Sequence, residues 1–554
     1  MSLPIQPAAA RPAPRAGGRG FLQDPGHFID VFLGSFRRDL LSFYPGSTLE
    51  RDQDLGLAGE LSPPRRIAEG AEISLDFRIE EDDAWPPNTL RVSLFGCRYR
   101  ISVPSHAALG PRDRDLIRAI GLVMSLYFRI LFRSSEVSLL QLRRGMPEDH
   151  YVAASVEPGP YASPSTFSSR IAEAILTLRT MALSTYENRR VATGALILGP
   201  PAASSPHDAR PAATEAMPFG VELTALRTLH RLCDGRRTLY LVDEQGRLEE
   251  VIDIQRWART RRGRGLRIAD PNAGPSAGAA ERGRGSALPV PCPRVYESHA
   301  LATQGSGHIC LVLSPNQEIK VFAQGVQAFV FAQGRWRVQD PETRFAEWSR
   351  AVRNPGLARR LFQTALDLAE ERQGGLLVVV EEADRAVGNL ISVQDLVEGS
   401  PAVSPCDDEA ESPSHLFTLH GLTVDENSGT RIGDPTRRPS AAAADSPLSK
   451  RSIHYLARGA RVMELAPAVL EALASIDGAL VTDSAGRLIA FGAILRHDAR
   501  GLDAEGTGPG TDPPVAEGAR TTAALVASRF GPVLKVSEDG IISCFMDGRR
   551  IWDL

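Results

Sequence analysis

Five stretches rich in Pro, Gly, Ala, Ser and Asp break this chain, and they limit what it can fold into more than any other feature. They lie at 1–20, 199–217, about 260–288, about 399–450 and 499–516. Such composition buries too little apolar surface to hold a packed core, so each reads as a leader, a linker or a long loop. The segments between them must build their own cores, and a chain of 554 residues is too long for one core in any case. The partition that follows is a disordered leader at 1–20, an N-terminal α+β region at 21–198 and a linker at 199–217. A middle α/β region with a β-meander comes next at 218–345. An α/β domain with a mixed sheet closes the chain at 346–554, carrying a flexible insertion at 399–450.

Composition narrows the function classes. Apolar residues make up 43% and charged residues 23%, both ordinary for a globular protein. A net charge of −4 gives no footing for a general nucleic-acid or membrane-surface binder, and no helix-hairpin-helix cue or basic face points to DNA. The basic residues are nearly all arginine, with only three lysines, Lys320, Lys450 and Lys535. Together with the many Ala, Gly and Pro, this is the codon bias of a GC-rich bacterial genome. The six cysteines are scattered, without a C-x-x-C pair or zinc spacing, and read as isolated thiols in a reducing cytoplasm. The N-terminus has no apolar core of a signal peptide. The run "LIRAIGLVMSLYFRILF" at 116–132 contains Arg118 and Arg129 and falls short of the roughly 20 apolar residues of a membrane span, so it reads as a buried helix. The expectation is a cytoplasmic protein that does not enter a membrane.

Local patterns place elements within each block. The first block mixes strand-like runs, "AEISLDFRI" and "TLRVSLFGCRYRISV", with a helix over 170–191 whose apolar stripe is Ile171, Ile175, Leu178 and Leu183. The second block opens on a helix, "VELTALRTLHRLCDG". A hairpin turning at "DEQG" and a meander over 307–340 follow. The glycine-rich "QGSGH" at 304–308 precedes a strand, so it lacks the strand-loop-helix setting of a phosphate loop, and His308 reads as a structural turn histidine. In the third block Asn354-Pro355 forms an N-cap and N1 pair, Gly374-Gly375 ends that helix, and "LLVVVEE" reads as a central strand.

Three short stretches of the third block could carry chemistry. Asp477-Gly478-Ala479 sits at a helix–strand junction, where a carboxylate followed by glycine leaves room for a ligand against the backbone. Alone, an aspartate opening a strand is the simpler account. Gly518 and Ala519 could let backbone N–H groups converge on an anion at a helix start. There Arg520 adds a charged fork, and Thr521 and Thr522 add hydroxyl donors; a plain helix cap stays equally open. Glu538, in Ser537-Glu538-Asp539, could ligate a divalent cation, although Glu-Asp-Gly is also good hairpin-turn composition. No Ser-His-acid set, H-E-x-x-H pair or Walker loop is evident.

In their order these stretches resemble the diadenylate cyclase domain family, the DisA-N or DAC domain. The matches are "IDGALVTDSAGRLIAFGAIL", "GARTTAA" and "KVSEDGIISCF", with "GGLLVVVEE" upstream, and they cover about 350–554. The middle block and "STYENRRVATGALIL" resemble, more loosely, the DACNV-type sensor region found fused to such domains. The resemblance implies a DAC-like nucleotide-binding domain that joins two ATP molecules into cyclic di-AMP across a face-to-face homodimer or higher oligomer, with Mg²⁺ or Mn²⁺. By position Asp477 would bind metal and help activate the 3′-hydroxyl. Gly478, Ala479 and Leu495 would line the nucleotide. Gly518, Arg520, Thr521 and Thr522 would hold phosphates. Glu538 would assist the metal beside Ser537. The family's R-H-R is here Arg520-Thr521-Thr522, with Arg496, His497 and Arg529 as candidate substitutes. Two functions follow: a diadenylate cyclase, or a catalytically degenerate nucleotide-binding sensor.

Overall fold

The computed structural model describes residues 25–51, 77–80, 86–95, 97–104, 109–133, 144–157, 169–186, 189–199, 217–226, 229, 231–265, 289–397, 454, 456–496 and 518–554. The leader, most of the 199–217 linker, the 399–450 insertion, the 499–516 stretch and His497 lie outside these residues. The chain divides into two compact units, Met1–Glu347 with Ile551–Leu554, and Trp348–Arg550. Helices and sheets mix throughout both. None of the described helices is long and apolar enough to cross a membrane.

The first unit begins with α1 (Pro25–Phe43), β1 (Thr48–Arg51), β2 (Arg78–Glu80), β3 (Thr89–Leu94) and β4 (Cys97–Ser102). These strands form an antiparallel sheet in the order β1-β4-β3-β2. The apolar run of 116–132 lies in α2 (Pro111–Arg133), where Leu116, Ile117, Ile120 and Val123 are buried. Next come α3 (Pro147–Val156), α4 (Arg170–Ala182), the short hairpin β5 (Thr185–Tyr186) and β6 (Arg189–Arg190), and β7 (Thr193–Ile197). The unit continues through β8 (Thr238–Val242), β9 (Leu248–Asp253), α5 (Ile254–Gly265) and α6 (Glu297–Thr303) to the meander β10 (Ile309–Leu313), β11 (Ile319–Ala323), β12 (Val326–Ala332) and β13 (Arg335–Val338). Helix α7 (Pro341–Val352) follows.

A seven-stranded sheet in the order β13-β12-β11-β10-β7-β8-β9 organises this unit. Strand β7 runs parallel to β8 and antiparallel to β10, so strands from both sides of the 199–217 stretch share one sheet. Alternate side chains divide the sheet's two faces. Ile309, Leu311 and Leu313 join the large core with Phe32, Phe36, Tyr151 and Trp336, while Cys310 and Val312 join a second core with Tyr296 and Ala300.

Two local expectations are corrected. Among the described residues of 221–235 none is α-helical; Val221–Ala225 is a 3-10 turn, and Leu226 and Leu232 are exposed. The hydroxyl of Tyr240 donates to the Leu229 carbonyl, which also accepts the Leu232 N–H at 3.1 Å in a tight three-residue turn. Helix α4 stops at Ala182, so Leu183 is 89% exposed and Met181 completes the buried stripe instead. His308 has a structural place, its Nδ1 accepting the Gly199 N–H at 2.9 Å.

The second unit contains α8 (Pro355–Glu370), β14 (Gly375–Val380), α9 (Ala383–Ala386), α10 (Pro467–Ser475), β15 (Ala479–Asp483), β16 (Leu488–Ala493), α11 (Ala519–Ala527), β17 (Val533–Val536) and β18 (Ile542–Met546). Strand β19 (Arg549–Asp553) ends the chain's elements. The Asn354 side chain accepts the Leu357 N–H at 3.2 Å with Pro355 at N1, the cap its sequence calls for. Strand β14 is buried along its whole length. It is central in the sheet β16-β15-β14-β17-β18-β19, parallel to β15 and antiparallel to β17. Leu376, Val378 and Val380 pack with Ala524 and Ala527 of α11. The alternate residues face the α8 and α10 side, where a Cβ on Gly375 would lie 3.0 Å from Leu368 and from the Ala474 carbonyl. The result is a mixed sheet between two helical layers.

Candidate functional site

The start of β14, the start of β15 and the end of β17 share one end of the C-terminal sheet. The register fixes this: Gly375 pairs with Val536, and Leu377 with Leu480. Four connections therefore meet there, from α8 to β14, from α10 to β15, into α11, and from β17 to β18.

Asp477 lies in the α10–β15 connection and is 93% exposed. Gly478 behind it has φ +119°, and a Cβ there would lie 2.4 Å from the Gly492 carbonyl carbon and 2.8 Å from the Ala493 oxygen. Only glycine tolerates that backbone and that approach, so Gly478 is what turns Asp477 outward at the sheet's end. Ala479 and Leu495 are buried and pack in the core on the α11 side.

Gly518 opens α11 with φ +94° and no side-chain cap. Its carbonyl accepts the N–H groups of Thr521 and Thr522 at 3.1 and 3.2 Å. Neither threonine is therefore the cap; both lie inside the first turn. The Thr522 hydroxyl donates back to Gly518 O at 3.4 Å. The Thr521 hydroxyl is buried and accepts from Lys535 Nζ at 2.9 Å.

Arg520 joins the parts. Its Nη1 donates to Glu538 Oε1 at 3.3 Å, and its Nη2 stands 3.9 Å from Asp477 Oδ1. Glu538 is exposed on the β17–β18 turn. That turn is tied by the Gly540 N–H to Ser537 O at 2.9 Å, and the Ser537 hydroxyl is engaged within it by Asp539 and the Ile541 carbonyl. The structure thus gathers Asp477, Arg520, Thr521, Thr522 and Glu538, and gives Ser537 to the turn. Exposed ion pairs of this kind contribute about 0–1 kcal/mol, so the guanidinium can exchange its carboxylates for a stronger anion at little cost.

Among the candidate substitutes, Arg496 donates to the Gly388 carbonyl at 2.6 Å. Arg529 follows the C-terminal end of α11 beside Gly548, roughly 13 Å along the helix from Arg520 at 1.5 Å rise per residue.

Sequence reasoning missed two residues here. A Cβ on Gly374 would lie 2.1 Å from Arg520 Nη1, so this glycine makes room for the guanidinium; it does not end α8 as its sequence suggests, because the helix stops at Glu370 and Arg372, with φ +59°, makes the left-handed turn. Lys535 was missed as well. Its signal was available, because it is one of three lysines in a chain otherwise served by arginine.

Asp477 Oδ1 and Glu538 Oε1 both approach the same guanidinium, and carboxylate oxygens are the donors that hard dications prefer. Among the described residues no group of three or more His, Cys, Asp or Glu side chains is placed to hold a metal ion. A comparison with protein-family models, curated proteins and solved structures matches the chain to none of them.

Proposed function

We propose that the C-terminal unit is a DAC-like nucleotidyltransferase domain that condenses two ATP into cyclic di-AMP. The observation that carries this reading is Arg520 standing between Asp477 and Glu538, three residues from separate segments collected at one sheet end. In the reaction each ribose 3′-oxygen forms a bond to the α-phosphorus of the other nucleotide. The bond from that phosphorus to the bridging oxygen breaks, and pyrophosphate leaves with the electron pair. Because each domain binds one ATP, two such domains meet face to face.

Arg520 and the first turn of α11 hold phosphate oxygens through charge-assisted bonds and oriented N–H groups. Asp477 and Glu538 would hold Mg²⁺ or Mn²⁺, which would supply charge neutralisation at the phosphates and Lewis-acid polarisation of the phosphoryl group. Asp477 would also accept the proton of the attacking 3′-hydroxyl. Gly478 keeps the backbone low beside the nucleotide. Homodimerisation in the cytoplasm, with the N-terminal unit as a sensor region, completes the proposal.

A second reading is a nucleotide-binding sensor without turnover. It is favoured by Thr522, whose hydroxyl is turned back on Gly518 O and adds no charge to the site. Incubation of the purified protein with ATP and Mg²⁺ or Mn²⁺ separates the two. The cyclase reading predicts cyclic di-AMP and its loss in Asp477→Asn. Absence of product from a wild-type protein that binds ATP would leave the sensor.

A further inference from the structure

We infer that Lys535 is a second phosphate-gripping cation of this site, acting with Arg520 on the polyphosphate of the bound nucleotide. The inference rests on the nucleotide reading above, which the cyclase and the sensor share.

Charge balance raises the need for it. Arg520 faces two carboxylates, Asp477 and Glu538, so these three side chains together carry a net negative charge. A divalent ion bound with ATP would offset only part of the triphosphate's charge, so a further cation close by strengthens the grip. Lys535 is in β17 and half-buried, two residues before the Ser537–Gly540 turn that carries Glu538. Its side chain lies on the same strand face as Val533, which packs in the α11-side core. From there the stem reaches the first turn of α11, where Nζ donates to the Thr521 hydroxyl at 2.9 Å, one residue from Arg520.

The position also explains why this cation is a lysine. An ammonium is a compact charge on a flexible stem with three donors that can be shared among oxygens, whereas a guanidinium is a planar fork. The Thr521 bond anchors the stem to α11, so this lysine tethers the phosphate end of the nucleotide to the sheet. Its neighbours across the sheet are Leu376 and Ser543.

Two experiments on the full-length protein test this. Lysine-selective acylation followed by mass mapping needs no substitution, because the chain has only three lysines. Saturating Mg-ATP is expected to slow acylation of Lys535 severalfold and to leave Lys450 unchanged; an unchanged rate at Lys535 overturns the inference. In calorimetry, Lys535→Met is expected to weaken Mg-ATP binding roughly 10- to 100-fold, the scale of one charged hydrogen bond to phosphate. Lys535→Arg is expected to retain most of the affinity, and adenosine binding should be equal in all three proteins. A purely structural lysine would weaken adenosine and Mg-ATP together. If Lys535→Met binds Mg-ATP as tightly as wild type, the inference fails and the nucleotide reading survives. If wild type binds no Mg-ATP, both fall.

Discussion

Arg520 donates to Glu538 at 3.3 Å while standing 3.9 Å from Asp477. One guanidinium therefore connects the α10–β15 junction to the β17–β18 turn through the start of α11. The three side chains range from 38% to 93% exposed, so the link contributes little to folding. Arg520→Ala is expected to shift the melting temperature only slightly while weakening Mg-ATP binding by roughly 10- to 150-fold, the scale of one charged hydrogen bond. A thermal melt beside a binding titration reads both; a large stability loss with intact binding would contradict the assignment.

Gly374→Ala probes the same guanidinium from its other side. The new methyl would lie 2.1 Å from Arg520 Nη1, and the arginine is the flexible partner that must yield. The expectation is weaker Mg-ATP binding with near wild-type stability. Restoring affinity in a shorter-headed Gly374→Ala/Arg520→Lys pair would support the steric cause, measured by comparing the two affinities.

Gly478→Ala should behave oppositely. Here φ is +119° and the obstacles are the Gly492 and Ala493 backbone atoms, which cannot rotate away. A strained backbone of this sort costs about 1–3 kcal/mol before the clash is added. Denaturant unfolding should show at least that loss, and a variant as stable as wild type would show that the β15–β16 end is built differently.

In the N-terminal unit, His299 gives a pH signature. Its Nε2 lies 3.1 Å from Gly235 O, and burial, only partly offset by that bond and by Asp234, pushes its pKa down to about 4. The unfolded imidazole binds a proton below about pH 6.5, and the folded one does not until about 4. Stability from this group is therefore full above about pH 6.5, is lost as pH falls toward 4, and is flat below, a total of about 3 kcal/mol. His299→Gln should flatten that window relative to wild type in unfolding measured across pH.

Much of the C-terminal unit was legible because its signals are local. Asn354-Pro355, the buried run of β14, and the turns ending in Gly486 and Gly540 each state their conformation within a few residues. The convergence of Asp477, Arg520 and Glu538 was legible only as an ordered set, since a strand register decides which loops share an end. Lys535 and Gly374 escaped because their roles are contacts across the sheet end, invisible to spacing along the chain. The 221–235 segment makes tight turns, with the Leu229 carbonyl taking both the Leu232 N–H and the hydroxyl of Tyr240 from a later strand, a contact that spacing along the chain does not show. Strand β7 joins the middle block through pairings with β8 and β10 that span a linker-like stretch.

Calorimetric titration of the full-length protein with ATP in the presence of Mg²⁺ tests the central claim most directly. The account predicts saturable binding that requires phosphate, weakens as salt rises, and is weakened at least roughly 10-fold in Arg520→Ala. A folded wild-type protein that takes up no ATP, or one whose binding is indifferent to Arg520, would contradict it.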